Sequence, residues 1–511
     1  MVYYICCLVI LLLFLFCLLH EIMHEIKKHR ASLFIISYCL LLTLLFKYNY
    51  GIEFWGLEYE DAYSFSFCAR QFSHNIYPTS FLIDAVCIGS LDTPISIFTY
   101  GGHFITYPAF LSIFTQILGW SPQLISIINA FTAFGILLLL SLLSKNKFWF
   151  LAPSIYCAAP IINVFTNCFL SEIFSSFVCL TFVFAYLRTK TRINSCLCFL
   201  AFGLALLCKR ENLALLIIPT IDSMICWFRI RKDFVLGNVV KRTIPYIAIV
   251  GIYLSCCQNV FEIEGIESKD IGEATFSFGN FERLFPVFIK SLFSIHSFSI
   301  TFSIYIIYLL YIGNIKYEYN KTRWISFFVF TSYLLLYTFH YRGYFFIKDG
   351  YVDSFETYRY INNFFYLIPL IFCSFSINRA KLLYVPIIIL MTFSFFQTNY
   401  LRRNFSSIEK ENRFDEVEIV STYIESQNKS SLLISENILL YQNLCKSNFS
   451  ICDITLINEL RFDKEINYFC LLPNIEYMKE RYGIILEKDD FIPVLLLPNG
   501  NYLYRYFPKC I

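Results

Sequence analysis

The sequence predicts an all-α, multi-pass membrane protein of about twelve transmembrane helices. Juxtamembrane helices are expected in a long first outer loop, and a small extracytoplasmic α/β domain at the C-terminus. Three observations carry this expectation. Of 511 residues, 57% are hydrophobic and only 15% charged, where a soluble domain carries roughly 25% charged residues. Apolar runs of membrane-spanning length recur along the chain. Lysines and arginines collect in alternate connecting loops.

A span needs about 17–25 predominantly apolar residues. Runs near that length fall at 2–19, 33–48, 122–143, 148–163, 169–187, 193–207, 213–228, 243–257, 292–312, 324–340, 361–377 and 382–396. With the N-terminus outside, the cytoplasmic loops carry Lys27, Lys28 and Arg30; Lys145 and Lys147; Arg188, Lys190 and Arg192; Arg229 to Arg242; Lys316, Lys321 and Arg323; and Arg379 with Lys381. All are short and basic, as the positive-inside rule requires. The opposite loops are longer. Loop 51–121 holds Glu53, Glu58, Glu60, Asp61, Asp84 and Asp92 against a single base, Arg70. Segments 258–290 and 341–360 lie on the same side, as does the hairpin tip Lys209-Arg210-Glu211.

From about residue 398 the chain turns polar. Residues 416–426 have helical spacing, 431–435, 468–472 and 493–497 read as strands, and Pro498-Asn499-Gly500-Asn501 is a hairpin turn. The chain thus divides into an N-terminal helix and cytoplasmic loop (1–31), a transmembrane domain (32–397) and an extracytoplasmic domain (398–511). The expected location is a plasma (inner) membrane, and the expected surroundings are membrane lipids. A net charge of only +3 gives no basis for a nucleic-acid partner. Most of the 20 cysteines sit inside apolar runs and read as small core residues. Cys445, Cys452, Cys470 and Cys510 share the polar C-terminal region, where one or two disulfides are expected.

The most informative motif lies in the first outer loop. Residues 60–70 read Glu-Asp-Ala-Tyr-Ser-Phe-Ser-Phe-Cys-Ala-Arg, placing two adjacent carboxylates at the head of an amphipathic segment. This resembles the acidic signature of the GT-C superfamily of polyprenyl-phosphate-sugar-dependent glycosyltransferases, which includes the protein mannosyltransferases and the aminoarabinose transferases. Glu60 replaces the usual Asp and Cys68 the usual Tyr. Three further segments resemble family features: His103-Phe104-Ile105-Thr106-Tyr107-Pro108 an aromatic-proline segment, Cys208-Lys209-Arg210-Glu211 a lysine-bearing hairpin tip, and Tyr358-Arg359-Tyr360 an Arg-Tyr pair before a late span. The resemblance covers about 33–396 and leaves the C-terminal domain unmatched.

The resemblance implies inverting transfer of a sugar from a polyprenyl-phosphate donor to a lipid, glycan or protein acceptor on the extracytoplasmic face. Glu60 or Asp61 would be the general base, a role worth ~10²–10⁴-fold. At a helix start the same acids would offset the dipole by ~0.3–1 kcal/mol. Lys209, Arg210 and Arg359, bases on the side where few are expected, would bind the donor phosphate, and snorkelling is their structural alternative. Arg70, His103, Tyr107 and Tyr358 are candidate substrate contacts. No cofactor is required, although paired acids beside a phosphate offer a place for Mg²⁺ or Mn²⁺.

Other readings carry less. His20-Glu21-Ile22-Met23-His24 fits the H-E-x-x-H zinc-protease pattern, but with no third ligand evident a polar helix end at the headgroups is expected. Asp349, Asp353 and Glu356 read as a solvated face. Asn404, Asn428 and Asn448 begin N-x-Ser sequons. A transporter would place ionisable residues within its spans. A polysaccharide polymerase or ligase would centre on basic and histidine residues of a late loop.

Overall fold

The computed structural model describes residues 1–28, 65, 68–72, 75, 77, 82–90, 94–119, 122–144, 151–157, 159, 162, 166, 170–188, 191–222, 236–256, 278–292, 321–339, 355–372, 410–427, 430–435, 449–454, 457, 463, 465–471, 488–498 and 500–507. The expected spans at 33–48 and 382–396 lie outside the described residues, as do Glu60 and Asp61.

The described part is a helical bundle joined to a mixed sheet. Its first helix, α1 (Val2–Lys28), has no charged residue before Glu21. Tyr4, Cys7, Leu11, Phe14, Leu18, Ile22 and Glu25 recur at helical spacing and are buried, while Val9, Leu12, Phe16, Leu19 and Met23 face outward. A helix that is apolar on its outer face as well needs a solvent that is itself apolar. Two described helices are long and apolar enough to cross a membrane, 2–25 and 124–143, and three shorter ones are apolar.

After α1 come α2 (Thr106–Leu118), α3 (Pro122–Leu143), α4 (Leu151–Cys157), α5 (Glu172–Leu187) and α6 (Arg192–Cys208). Helices α5 and α6 form a tight antiparallel hairpin. Its turn is fixed by Thr191, whose side chain accepts from Asn194 N at 3.0 Å and caps α6. At Lys209 the backbone becomes extended (φ −154°, ψ 134°), and the chain turns into a 3-10 segment, Arg210–Leu216. Helices α7 (Leu236–Cys256), α8 (Phe278–Leu292), α9 (Lys321–Phe339), α10 (Phe355–Phe364) and α11 (Leu367–Phe372) complete the bundle.

Charge sorts to the two ends of this bundle. At one end Glu25 pairs with Arg188, Thr191 donates to Glu21 Oε1 at 3.1 Å, and Asp222 meets Lys321 at 2.7 Å and Arg242 at 3.4 Å. Arg188, Arg242 and Lys321 all belong to loops or flanks that the sequence assigns to one side. These contacts also explain the H-E-x-x-H run. Glu21 turns inward to dock α1 on the α5–α6 turn, leaving the His20 and His24 side chains each 48% exposed.

The sheet has seven strands in the order β2-β1-β4-β3-β5-β7-β6. Strands β3 (Ser431–Ser435), β4 (Ser450–Asp453) and β5 (Asn467–Leu471) are parallel, with β3 between the other two. Every residue of β3 is buried, as a central strand covered on both faces must be. Helix α12 (Lys410–Glu425) lies on one face, where Tyr423 meets Phe469 edge-on at 5.9 Å. Strands β6 (Phe491–Leu496) and β7 (Tyr502–Tyr506) form a hairpin whose turn uses Gly500 at φ +84°.

Two expectations change. The first outer loop does carry helical residues 68–72 and α2, but between them it forms a β-hairpin, β1 (Leu82–Ser90) with β2 (Pro94–Phe104). Strand β1 pairs with β4 through Ile88, Gly89 and Ser90, so the sheet is not confined to residues 398–511. Secondly, Cys452 and Cys470 are not joined to each other. Both lie opposite Ile434, one on each side of β3. Two strand spacings of about 4.8 Å exceed the ~7 Å Cα limit for a bridge. Cys445 and Cys510 lie outside the described residues.

Candidate active site

Where α5 begins, Glu172 is completely buried. Its position at the first turn suits a carboxylate, because the helix dipole is positive there. An ion in such a place also needs partners, and it has two. Lys209 Nζ and Arg359 Nε each donate to Glu172 Oε1 at 2.6 Å. The side chains of Lys209 and Arg359 are 12% and 10% exposed. The extended backbone at Lys209 turns this residue back across the start of α5, and Arg359 reaches the same oxygen from α10.

Beneath this charged layer lies an uncharged polar one, built one helical turn inward from the same three elements. Asn212 donates to Ser175 Oγ at 2.9 Å and accepts from Tyr333 Oη at 2.7 Å and from Asn363 Nδ2 at 3.1 Å. Ser176 donates to the carbonyls of Asn362 and Asn363. Tyr337 accepts from Asn363 and packs at a tilt against Tyr360, whose ring lies 5.6 Å from Lys209 Nζ. Each element thus contributes one charge and one supporting amide or hydroxyl. Such interlocking fixes side-chain positions more firmly than pairwise contacts do.

Two cations against one carboxylate leave one net positive charge in the triad. That suits an anion at the open edge of the pair, where an ammonium retains further donors. The opposing consideration is cost. Burying three charges repays itself only with good geometry, and such a triad alone is weak evidence for added stability.

Of the residues singled out in the sequence, Lys209 and Arg359 are brought together. Arg210 is half-buried at the start of the 3-10 segment. Tyr107 is buried in α2, donates to Asn129 Oδ1 at 2.9 Å, and packs on Phe65 (5.5 Å) and Phe174 (6.0 Å). Phe65 lies within the 60–70 motif and Phe174 lies on α5, so a chain of rings ties that motif to the turn bearing Glu172. Arg70 is half-buried on the helical residues 68–72. His103 lies on β2 opposite Ile83, and Tyr358 lies on α10 beside Arg359.

Glu172 is the residue the sequence reading missed. The signal was present: a lone carboxylate in the otherwise uncharged run 169–187, which inside a membrane segment marks a site and demands a partner.

No protein-family model and no curated protein matches the sequence. Solved structures do match. The fold is similar to that of ArnT from Cupriavidus metallidurans bound to undecaprenyl phosphate, with TM-score 0.56, 9% identity, and coverage of 94% of this chain and 100% of that one. It is likewise similar to the same protein in the apo state, with TM-score 0.54, 8% identity and the same coverage. The chain thus shares its fold with ArnT over 94% of its length.

Proposed function

We propose that this GT-C-fold chain is a multi-pass membrane glycosyltransferase that takes a sugar from a polyprenyl-phosphate donor on the extracytoplasmic side. The observation that carries the reading is the convergence of Lys209 and Arg359 on Glu172. It lies in a fold that, in ArnT, has been crystallised with undecaprenyl phosphate. A nearly buried basic pair at one end of an apolar bundle suits the phosphate headgroup of a long isoprenoid.

The chemistry is a single displacement. Glu60 or Asp61 takes the proton of the acceptor hydroxyl, and that oxygen attacks the anomeric carbon. The bond from this carbon to the phosphate oxygen breaks, leaving polyprenyl phosphate with a second negative charge. Lys209 and Arg359 stabilise that charge, and they do so most where it is greatest, late in the step. Attack opposite the departing oxygen inverts the anomeric centre. Arg210, Arg70, His103 and Tyr358 remain candidate contacts around it, while Tyr107 acts through packing. The displacement needs no metal; Glu60 and Asp61 would be the ligands for Mg²⁺ or Mn²⁺ carried in with the phosphate.

The two ends of the bundle support a sided arrangement, with the basic loops cytoplasmic and the sheet outside. About twelve spans accommodate it. The test supplies candidate polyprenyl-phosphate sugars to the purified chain in proteoliposomes and asks which is consumed. A folded chain that neither binds undecaprenyl phosphate nor consumes any lipid-phosphate sugar would overturn the reading.

A further inference from the structure

We infer that Glu172 is the positioning residue of the phosphate clamp: its buried carboxylate draws Lys209 and Arg359 into one anion-binding pair. The inference rests on the proposed reading of those two cations as phosphate ligands, and goes beyond it by assigning how they are held.

The geometry requires such a residue. Lys209 and Arg359 come from different elements, and their nitrogens meet on one oxygen at 2.6 Å each. Two cations that close repel each other unless a negative charge lies between them, and more strongly in a poorly polarisable bundle than in water. Glu172 supplies that charge from a fixed point, with no exposure to solvent. Its Oε1 takes both cations, while the buried Oε2 makes no hydrogen bond. A carboxylate that served only to neutralise two separate bases would spread them over both oxygens. Sharing one oxygen instead sets the two cations side by side.

Arg359 is further oriented by the turn below it, where Asn363 bonds Asn212 and Tyr337. Lys209 is oriented by the Tyr360 ring. Neither support carries a charge, whereas Glu172 accepts from both cations and places a negative charge between them.

The experiment measures undecaprenyl phosphate binding and thermal stability for the full chain in lipid nanodiscs. Glu172→Ala removes acceptor and charge together. Glu172→Gln keeps volume and one acceptor, so it reports even if the alanine variant fails to fold. Per folded molecule, Glu172→Gln is expected to bind the lipid about ten-fold more weakly and Glu172→Ala up to about a hundred-fold. Glu172→Asp should recover part of the loss. Added to Lys209→Ala/Arg359→Ala, either substitution should cost no further affinity, because the residue acts only through those two.

Three results would overturn the inference: unchanged affinity with lowered stability, tighter binding once the carboxylate is gone, or a full additional loss in the double-variant background. If Lys209→Ala/Arg359→Ala itself leaves binding intact, the phosphate reading of the two bases fails, whatever Glu172 does.

Discussion

Lys209 and Arg359, far apart in sequence, share a single acceptor atom, Glu172 Oε1, at 2.6 Å from each. A polar hairpin tip and a late helix are therefore locked to the start of α5. In a bundle whose outer faces are apolar, this concentration of charge at one end is costly unless geometry and function both use it. It is also the end where Thr106, at the foot of the first-loop hairpin, donates to the Leu207 carbonyl.

The first prediction follows from that shared atom. Lys209→Ala and Arg359→Ala should each weaken undecaprenyl phosphate binding and lower turnover together, by about ten- to a hundred-fold. Each should also lower stability, by roughly 3–5 kcal/mol if the triad is as dry as its burial indicates. Titration of the lipid and thermal melts on the same samples separate the two effects. Near-native affinity in a folded Arg359→Ala protein would exclude that residue from the phosphate.

Acidic substitutions should behave differently. Glu60→Gln or Asp61→Asn keeps shape and hydrogen bonding but cannot take a proton at neutral pH. Whichever residue is the base, its variant should lose ~10²–10⁴-fold in turnover while binding the donor lipid normally. Wild-type transfer by the Glu60→Gln/Asp61→Asn double variant would remove the base from this loop.

Much of this arrangement was readable from the chain. Strands β3, β5 and β6 fall within two residues of the expected positions, because turn residues and alternation mark them locally, while helix α12 begins six residues before the expected start. Lys209 and Arg359 stood out as bases on the wrong side of a membrane pattern. The β1–β2 hairpin went unread although Val86, Ile88, Ile95 and Ile97 are β-branched and pair across it. Its pairing with β4 is a contact between the first loop and the last domain, and no local pattern reports so distant a partner. Glu172 was hidden for a different reason. Apolar periodicity averages over a span, and one carboxylate scarcely changes that average while deciding the chemistry.

Sidedness is open to direct labelling. Asn75 and Asp463 are exposed near the sheet end, and His24 is exposed at the opposite end. With Cys6 and Cys196, the exposed cysteines among the described residues, replaced together with those not described, cysteines placed at Asn75 and Asp463 should react with an impermeant maleimide from outside intact cells. A cysteine at His24 should react only after permeabilisation. Reaction of the Asn75 and Asp463 sites from opposite sides would end the model of a common outer face.

The sheet thiols make a contrasting case. Burial, reinforced by nearby Cys452, pushes the Cys470 thiol up from its ordinary range. Its thiolate is therefore scarce at neutral pH, and reactivity requires the thiolate. Iodoacetamide at pH 8 should leave Cys470 unmodified in the native protein and modify it fully after denaturation. Peptide mapping without reductant should find no peptide joining Cys452 to Cys470. Such a linked peptide would contradict the strand register.

Helix α3 meets α5 closely at Gly135. A Cβ placed on Gly135 would lie 2.6 Å from Cε2 of Phe177, well inside van der Waals contact. Phe177 is itself packed, its ring meeting Phe14 of α1 edge-on at 6.1 Å. Small residues at helix contacts matter most in membranes, where close packing replaces the hydrophobic drive between helices. Gly135→Ala should therefore cost about 1–3 kcal/mol through overpacking, and Gly135→Leu more. The measurement is thermal stability in nanodiscs, with Phe177→Ala as the partner substitution. Because the clash lies between those two side chains, the Gly135→Ala/Phe177→Ala protein should be more stable than the sum of the single losses allows. Strict additivity would mean that the α3–α5 contact is looser than this approach implies.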